Sequence, residues 1–193
     1  MKEQSEGVAN DRIPPGQYIS KKWPVLHVGP LPSFDPLSWD FQIFGLVEQL
    51  LRLTYQEFIA LPRVKVIADM HCVTAWSTFD NEWEGVATRD LMKLAEPKPE
   101  ARFVVTHAEF GYTTNLPLEV FLDHDCLFAY THNGKPLALE HGFPLRLVVP
   151  KRYAWKSAKW VRGVELLAED RPAFWEMRGY NNNADPWKEE RYW

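Results

Sequence analysis

The clearest hydrophobic patterns in this chain have a period of two. Trp39, Phe41 and Ile43 alternate with Asp40 and Gln42, which predicts a half-buried strand within residues 38–47. A second β-type run has Val64, Val66 and Ile67 as its apolar members and leads into His71 and Cys72. Residues 102–107 predict another strand, residues 145–149 a short, fully buried one, and residues 160–166 one with some alternation. Residues 126–130 and 136–139 flank Asn133-Gly134, the pair favoured in type I′ turns, and so predict a β-hairpin.

Helical signals are shorter. Thr54-Tyr55-Gln56-Glu57 has the capping-box form, with Leu53 and Phe58 placed as a hydrophobic staple. The helix that starts there should end before Pro62. Thr88 is a candidate cap for a helix over residues 89–95 with Leu91, Leu94 and Ala95 on one face. Residues 117–121 suggest one more short helix. Residues 79–85 read as a turn with exposed acids, residues 97–99 as a loop, and residues 111–115 as a polar loop. Residues 23–32 are dense in proline and predict an extended segment packed across the body. Residues 174–193 are aromatic and Asn-rich, with no regular period.

Strands outnumber helices and do not alternate with them in βαβ order. The pattern predicts an α+β, mainly β fold. It forms a single domain over residues 21–193, behind a loose leader over residues 1–20 in which Met1 to Asn10 fray. A net charge of -4 and a pI of about 5.9 give no footprint for nucleic acid or a membrane surface. No apolar run reaches the roughly 18 residues of a membrane span, and the N-terminus has neither a secretory pattern nor a twin-arginine pair, so a cytoplasmic location is expected. Two cysteines, Cys72 and Cys126, make no disulfide framework and would be free thiols in a reducing compartment. Nine tryptophans are many for this length, and aromatics often line pockets for flat ligands.

Candidate chemistry begins at Cys72, a thiol at the end of a strand. Such a cysteine is ordinarily a small core residue, and that alternative stays open beside a ligand role. Glycine-rich phosphate loops, Cys-x-x-Cys, His-Glu-x-x-His and Gly-x-Ser-x-Gly are all absent. A zinc site drawn from His71, Cys72 and His107 has no support in spacing. Nor has a Cys72 nucleophile with His71 or His107 as base, since His71 would face the other side of a strand. Arg146 lies inside an apolar run, where a guanidinium needs either a structural carboxylate or an anionic ligand. Lys151, Arg152, Lys156 and Lys159 follow within nine residues, and the small side chains of Ser157-Ala158 leave backbone N–H groups accessible to an anion. A soft thiolate together with an anion site would suit an organic metal cofactor that carries a phosphate.

Three stretches carry a resemblance to a known family. They are Cys72-Val73-Thr74-Ala75-Trp76-Ser77, Gly111-Tyr112-Thr113-Thr114-Asn115-Leu116-Pro117-Leu118-Glu119, and His141-Gly142-Phe143-Pro144-Leu145-Arg146-Leu147-Val148-Val149-Pro150 with its continuation to Ser157-Ala158-Lys159-Trp160. With these, the chain from about Trp23 onward resembles the catalytic molybdenum-cofactor domain of the sulfite oxidase family. It is most similar to short, single-domain bacterial members, some akin to catalytic subunits of methionine sulfoxide reductases. The resemblance implies a sulfite-oxidase-type molybdopterin-binding fold with mixed sheets and short helices. It implies Cys72 as the protein thiolate on molybdenum, with His141, Arg146, Ser157, Ala158 and Lys159 gripping the pterin and its phosphate. It places His27 and Val28 on an early loop against the cofactor, Tyr112 on the active-site tyrosine, and His107 at the edge of the same pocket. Leu26 and Ser77 stand where sulfite oxidases use arginines. That departure implies a small uncharged S- or N-oxide as substrate rather than sulfite, because the oxyanion loses its attraction. With no haem domain in the chain, the two-electron oxo transfer would draw on a separate electron-transfer partner. The alternative is a non-catalytic relative that holds the cofactor or a partner.

Overall fold

The computed structural model describes residues 11–193. In chain order the strands are β1 (Tyr18–Ile19), β2 (Asp40–Gly45), β3 (Leu51–Thr54), β4 (Val64–His71), β5 (Trp76–Ala87), β6 (Phe103–Ala108), β7 (Thr113–Pro117), β8 (Leu127–His132), β9 (Lys135–Pro136), β10 (Arg146–Val148) and β11 (Val161–Leu167). Among the described residues, three short α-helices, α1 (Tyr55–Ile59), α2 (Thr88–Ala95) and α3 (Leu118–Phe121), accompany them. One sheet runs β1-β5-β8-β10, with β4 also on β5 and β9 on β8; the other runs β3-β2-β11-β6-β7. Both sheets are mixed, because β1 pairs with β5 and β11 pairs with β2 in parallel. The fold is the mainly β, α+β one that the sequence predicts.

The core fills the space where the sheets face each other. Phe41 of β2 packs edge-on against Phe58 of α1 and Phe128 of β8, with ring centroids 5.0 and 5.2 Å away. All three rings are fully buried. Leu127 and Ala129 flank Phe128 on the same strand but belong to a second cluster with Met70, Cys72, Trp76 and Trp83. Successive side chains of a strand point to opposite faces, so the first sheet is buried on both sides at β8, and the second cluster brings Cys72 into a packed environment.

The capping box at Thr54 and Glu57 forms in full, and α1 ends ahead of Pro62. The hairpin turns on Asn133 (φ 50°) and Gly134 (φ 71°), the two positive φ values a type I′ turn requires. Residues 79–85 are not a turn but the middle of β5, paired from Val64↔Gly85 to Ala68↔Asn81. Asn81 and Trp83 point inward while Glu82 and Glu84 point out, where Lys65 meets both at 2.9 and 3.5 Å. Alternating acids hide the strand; only Asp80, with φ 52° at a bulge, has turn geometry. Residues 113–115 likewise belong to β7 rather than to a loop. Thr88 does not cap α2. Its hydroxyl donates to the carbonyls of Phe121 and Cys126, and the buried face of α2 is Leu91, Met92 and Ala95, with Leu94 exposed.

The fraying expected of Met1 to Asn10 lies outside the described residues. The rest of the expected leader is docked. Arg12 binds Asp69 and Asp80 at 2.5 and 2.8 Å, and β1 lies beside Trp76 and Ser77. Among the described residues, no helix is long and apolar enough to cross a membrane.

Candidate active site

β4 delivers Cys72 into a four-residue turn. The Cys72 N–H donates to Trp76 O at 2.9 Å, the Ala75 N–H donates to Cys72 O at 3.0 Å, and Ala75 takes φ 70°. The thiol is buried, and its sulfur accepts a hydrogen bond from Thr74 Oγ1 at 3.2 Å. His71, the preceding residue, turns away as strand alternation requires. Its Nδ1 lies 2.8 Å from Ser77 Oγ, and burial lowers its pKa.

Cys72 opens onto a cavity of about 330 Å³. Arg146, from β10, is buried in its wall at 3% exposure. Nη1 donates to the His141 carbonyl at 2.9 Å, Nη2 lies 3.9 Å from Met70 Sδ, and Nε is buried without a partner. Among the described residues, no carboxylate pairs with it. Burial pulls its pKa down to about 10. Lys159 stands next to it, its ammonium donating to the carbonyls of Leu26 and Glu140 at 2.8 and 2.6 Å. Burial, and then the charge of Arg146, lower the Lys159 pKa to about 7. Gly142 makes this pairing possible. A Cβ there would sit 3.0 Å from the Arg146 Cβ and 3.3 Å from the Lys159 Cβ, and its φ of +119° also favours glycine. A buried guanidinium with no carboxylate partner among the described residues, beside a lysine whose Nζ donates only to carbonyls, forms a wall built for an anion.

Of the residues singled out in the sequence, Cys72, His27, Val28, Tyr112, Arg146, Ser157, Ala158 and Lys159 line this one cavity. His141 stands behind Arg146, stacked on Trp23, with its carbonyl taking the guanidinium. The Tyr112 hydroxyl donates to Trp155 O at 2.6 Å, and burial raises its pKa, so the phenol stays protonated.

Several expectations do not hold. His107 does not reach the cavity; on β6 it pairs through Nε2 with Glu165 at 2.9 Å. Leu26 lines the cavity, but Ser77 is fully buried on the reverse side, bonded to His71 and Gln17. Lys156 takes no part in an anion site. It is buried against Glu176 at 2.6 Å and donates to Asn115 O and Oδ1 at 2.9 and 3.1 Å. Lys151 pairs with Asp123. Trp23, Trp76, Trp155, Trp175 and Tyr180 form most of the aromatic wall, and no motif in the sequence marks them as cavity residues. Only the high tryptophan count hinted at them.

The model of the family described as oxidoreductase molybdopterin binding domain matches residues 28–175. The chain is 47% identical over 182 residues to the protein named uncharacterized oxidoreductase YuiH of Bacillus subtilis strain 168, covering 94% of this chain and 92% of that one. It is 29% identical to the protein-methionine-sulfoxide reductase catalytic subunit MsrP of Gluconobacter oxydans, over 83% of this chain and 59% of that one. Among solved structures, it is similar to the sulfane dehydrogenase SoxCD of Paracoccus pantotrophus, with a TM-score of 0.66 and 25% identity, over 72% of this chain and 40% of that one. The chain thus spans nearly all of YuiH but well under two thirds of the other two.

Proposed function

Because this chain belongs to the oxidoreductase molybdopterin binding domain family, and is a molybdenum-cofactor enzyme of the sulfite oxidase type, we propose that Cys72 supplies the protein thiolate to molybdenum. The carrying observation is the buried, unpartnered Nε of Arg146 in the same cavity as the Cys72 thiol. A soft sulfur donor suits molybdenum, and the Arg146–Lys159 wall suits the phosphate and polar edge of the pterin. These residues therefore fit the group the family carries. His27, Val28, Ser157 and Ala158 would line its bed, with His141 bracing Arg146 from behind. His107 is left out of this set, because it is bonded elsewhere.

When bound, the cofactor supplies two-electron oxo transfer. The chain supplies the surroundings. Thr74 donates to the Cys72 sulfur and so holds its lone pair. The aromatic wall gives the cavity a mostly apolar lining that disfavours water. Tyr112 presents a protonated phenol whose proton is committed to Trp155 O, so its oxygen faces the cavity chiefly as an acceptor and as a steric stop. Once Arg146 and Lys159 are matched by the cofactor's anion, no further lysine or arginine among the described residues lines the cavity to attract sulfite. Leu26 adds to this apolar character. A small uncharged S- or N-oxide fits such a cavity, with electrons delivered by a separate redox protein.

The test is protein made in a host that builds the cofactor. About one molybdenum per chain, pterin fluorescence after oxidation, and reduction of a sulfoxide or N-oxide by an artificial donor are expected. Protein without molybdenum overturns the proposal. Molybdenum without turnover would instead mark a cofactor-holding relative.

A further inference from the structure

The two ends of the described chain meet on the turn that carries Cys72. From the N-terminal side, Gln17 Nε2 donates to the Cys72 carbonyl at 2.9 Å, while its Oε1 accepts from Ser77 Oγ at 3.2 Å. The next N–H, of Tyr18, reaches Ala75 O at 2.9 Å. From the C-terminal side, Arg191 Nη1 donates to the Val73 carbonyl at 2.6 Å. Residues near the two ends thus hold the carbonyls of Cys72, Val73 and Ala75. β4 and β5 hold only the flanks of the turn, His71 and Trp76. Inside it, Ala75 sits at φ 70°, a strained position for a residue with a Cβ, which persists only where the surroundings over-determine it.

The ends also hold each other. Arg191 Nη2 reaches Pro15 O at 3.4 Å, and the guanidinium lies over the Tyr153 ring at 5.1 Å. Its side chain is only 17% exposed. Gly16 has φ +68°, and a Cβ there would come within 2.7 Å of Glu189 Oε1 and 3.2 Å of Arg191 Nη2. The C-terminal segment is folded back on itself, since Asn181 N–H donates to Arg191 O at 3.1 Å and Trp193 N–H to Gly179 O at 3.2 Å. Both Gln17 and Arg191 lie outside residues 28–175, the part that the family model matches.

We infer that Gln17 and Arg191 form a clasp that sets where the Cys72 sulfur stands relative to the metal, as positioning residues that touch neither substrate nor cofactor. This rests on the assignment of Cys72 as the molybdenum ligand. A ligand atom on a turn is placed only as well as the groups that orient that turn. Removing either donor leaves the backbone of Val73 to Ala75 free to relax, which swings the sulfur.

Three variants test the clasp. Arg191→Met removes the donor, Arg191→Lys keeps a cation, and Gln17→Glu is isosteric but cannot donate to Cys72 O. In cofactor-loaded protein, molybdenum content should hold while the electron paramagnetic resonance of the metal shifts and broadens in Arg191→Met and Gln17→Glu. Their kcat should fall about tenfold with KM little changed, and Arg191→Lys should return toward the parent. In cofactor-free protein, amide exchange over residues 72–76 should rise about tenfold in the same two variants, with β11 unaffected. Parent-like resonance and parent-like exchange in both would overturn the clasp. Should Arg191→Met fail to fold, the isosteric Gln17→Glu decides alone by the same readings. A parent without molybdenum defeats the ligand assignment, whereas unchanged exchange defeats the clasp, so the two failures are told apart.

Discussion

The imidazole of His141 lies flat on the indole of Trp23, with ring centroids 3.8 Å apart and planes 6° from parallel. His132 leans on the same indole at 4.4 Å and bonds through Nε2 to Asn81 Oδ1 at 3.0 Å. Burial first, and then neighbouring cations, lower both pKa values to about 4: Arg146 and His141 act on His132, and Lys159 and Arg146 on His141. Unfolded, each would titrate near 6.5. Between these values the unfolded chain binds more protons than the native one, so stability rises with pH across that window. The stability that these two histidines contribute to the cofactor-free protein should be fully present above about pH 6.5 and be lost steadily toward pH 4. Urea midpoints taken across this range should fall less steeply in His132→Gln than in the parent; identical slopes would clear His132 of the effect.

Arg146→Met separates stability from cofactor binding. In cofactor-free protein it removes a desolvated charge that has no carboxylate partner, so the unfolding free energy should stay level or rise by about 1–2 kcal/mol. Cofactor retention should collapse in the same variant. Paired denaturation and metal analysis check both halves, and a variant that loses stability while keeping molybdenum contradicts the assignment.

The buried pair Lys156–Glu176 behaves in the opposite way. Glu176 Oε1 also accepts from Trp155 Nε1 at 2.9 Å, which ties the pair to the cavity wall. Lys156→Met leaves Glu176 buried and uncompensated, and should cost about 3–5 kcal/mol. Adding Glu176→Leu should recover part of that loss. A double-mutant cycle by chemical denaturation measures the coupling.

The two thiols should respond differently to serine. Cys126 is a core residue whose Sγ meets Val120 O at 3.3 Å, and burial raises its pKa so that it stays protonated. Cys126→Ser should keep its molybdenum. Cys72→Ser should fold and lose both the metal and redox activity. Metal content of the two purified proteins is the readout.

What could be seen in the sequence was what depends on near neighbours. The capping box at Thr54 and the turn at Asn133-Gly134 are local, and both appear as expected. β5 stayed hidden because Asp80, Glu82 and Glu84 mimic a solvated turn, when only one residue in two had to face the core. Lys156 looked like part of a basic loop because nothing near it announces Glu176, which comes from a segment without period. Leu26 and Ser77 were paired by analogy as pocket residues, yet β-strand geometry sends Ser77 to the far side with His71. Cys72, Arg146 and Lys159 were legible as a set because a thiol, a guanidinium in an apolar run and a lysine beside small residues each demand a chemical explanation.

Five of the nine tryptophans, Trp23, Trp76, Trp155, Trp160 and Trp175, stand around the cavity. Indole emission from more than half of the tryptophans therefore arises next to the site itself. A conjugated, visible-absorbing guest would quench it, and its departure would restore it. The wall that shapes the cavity thereby also serves as a built-in optical gauge of its occupancy, readable in dilute solution without any label.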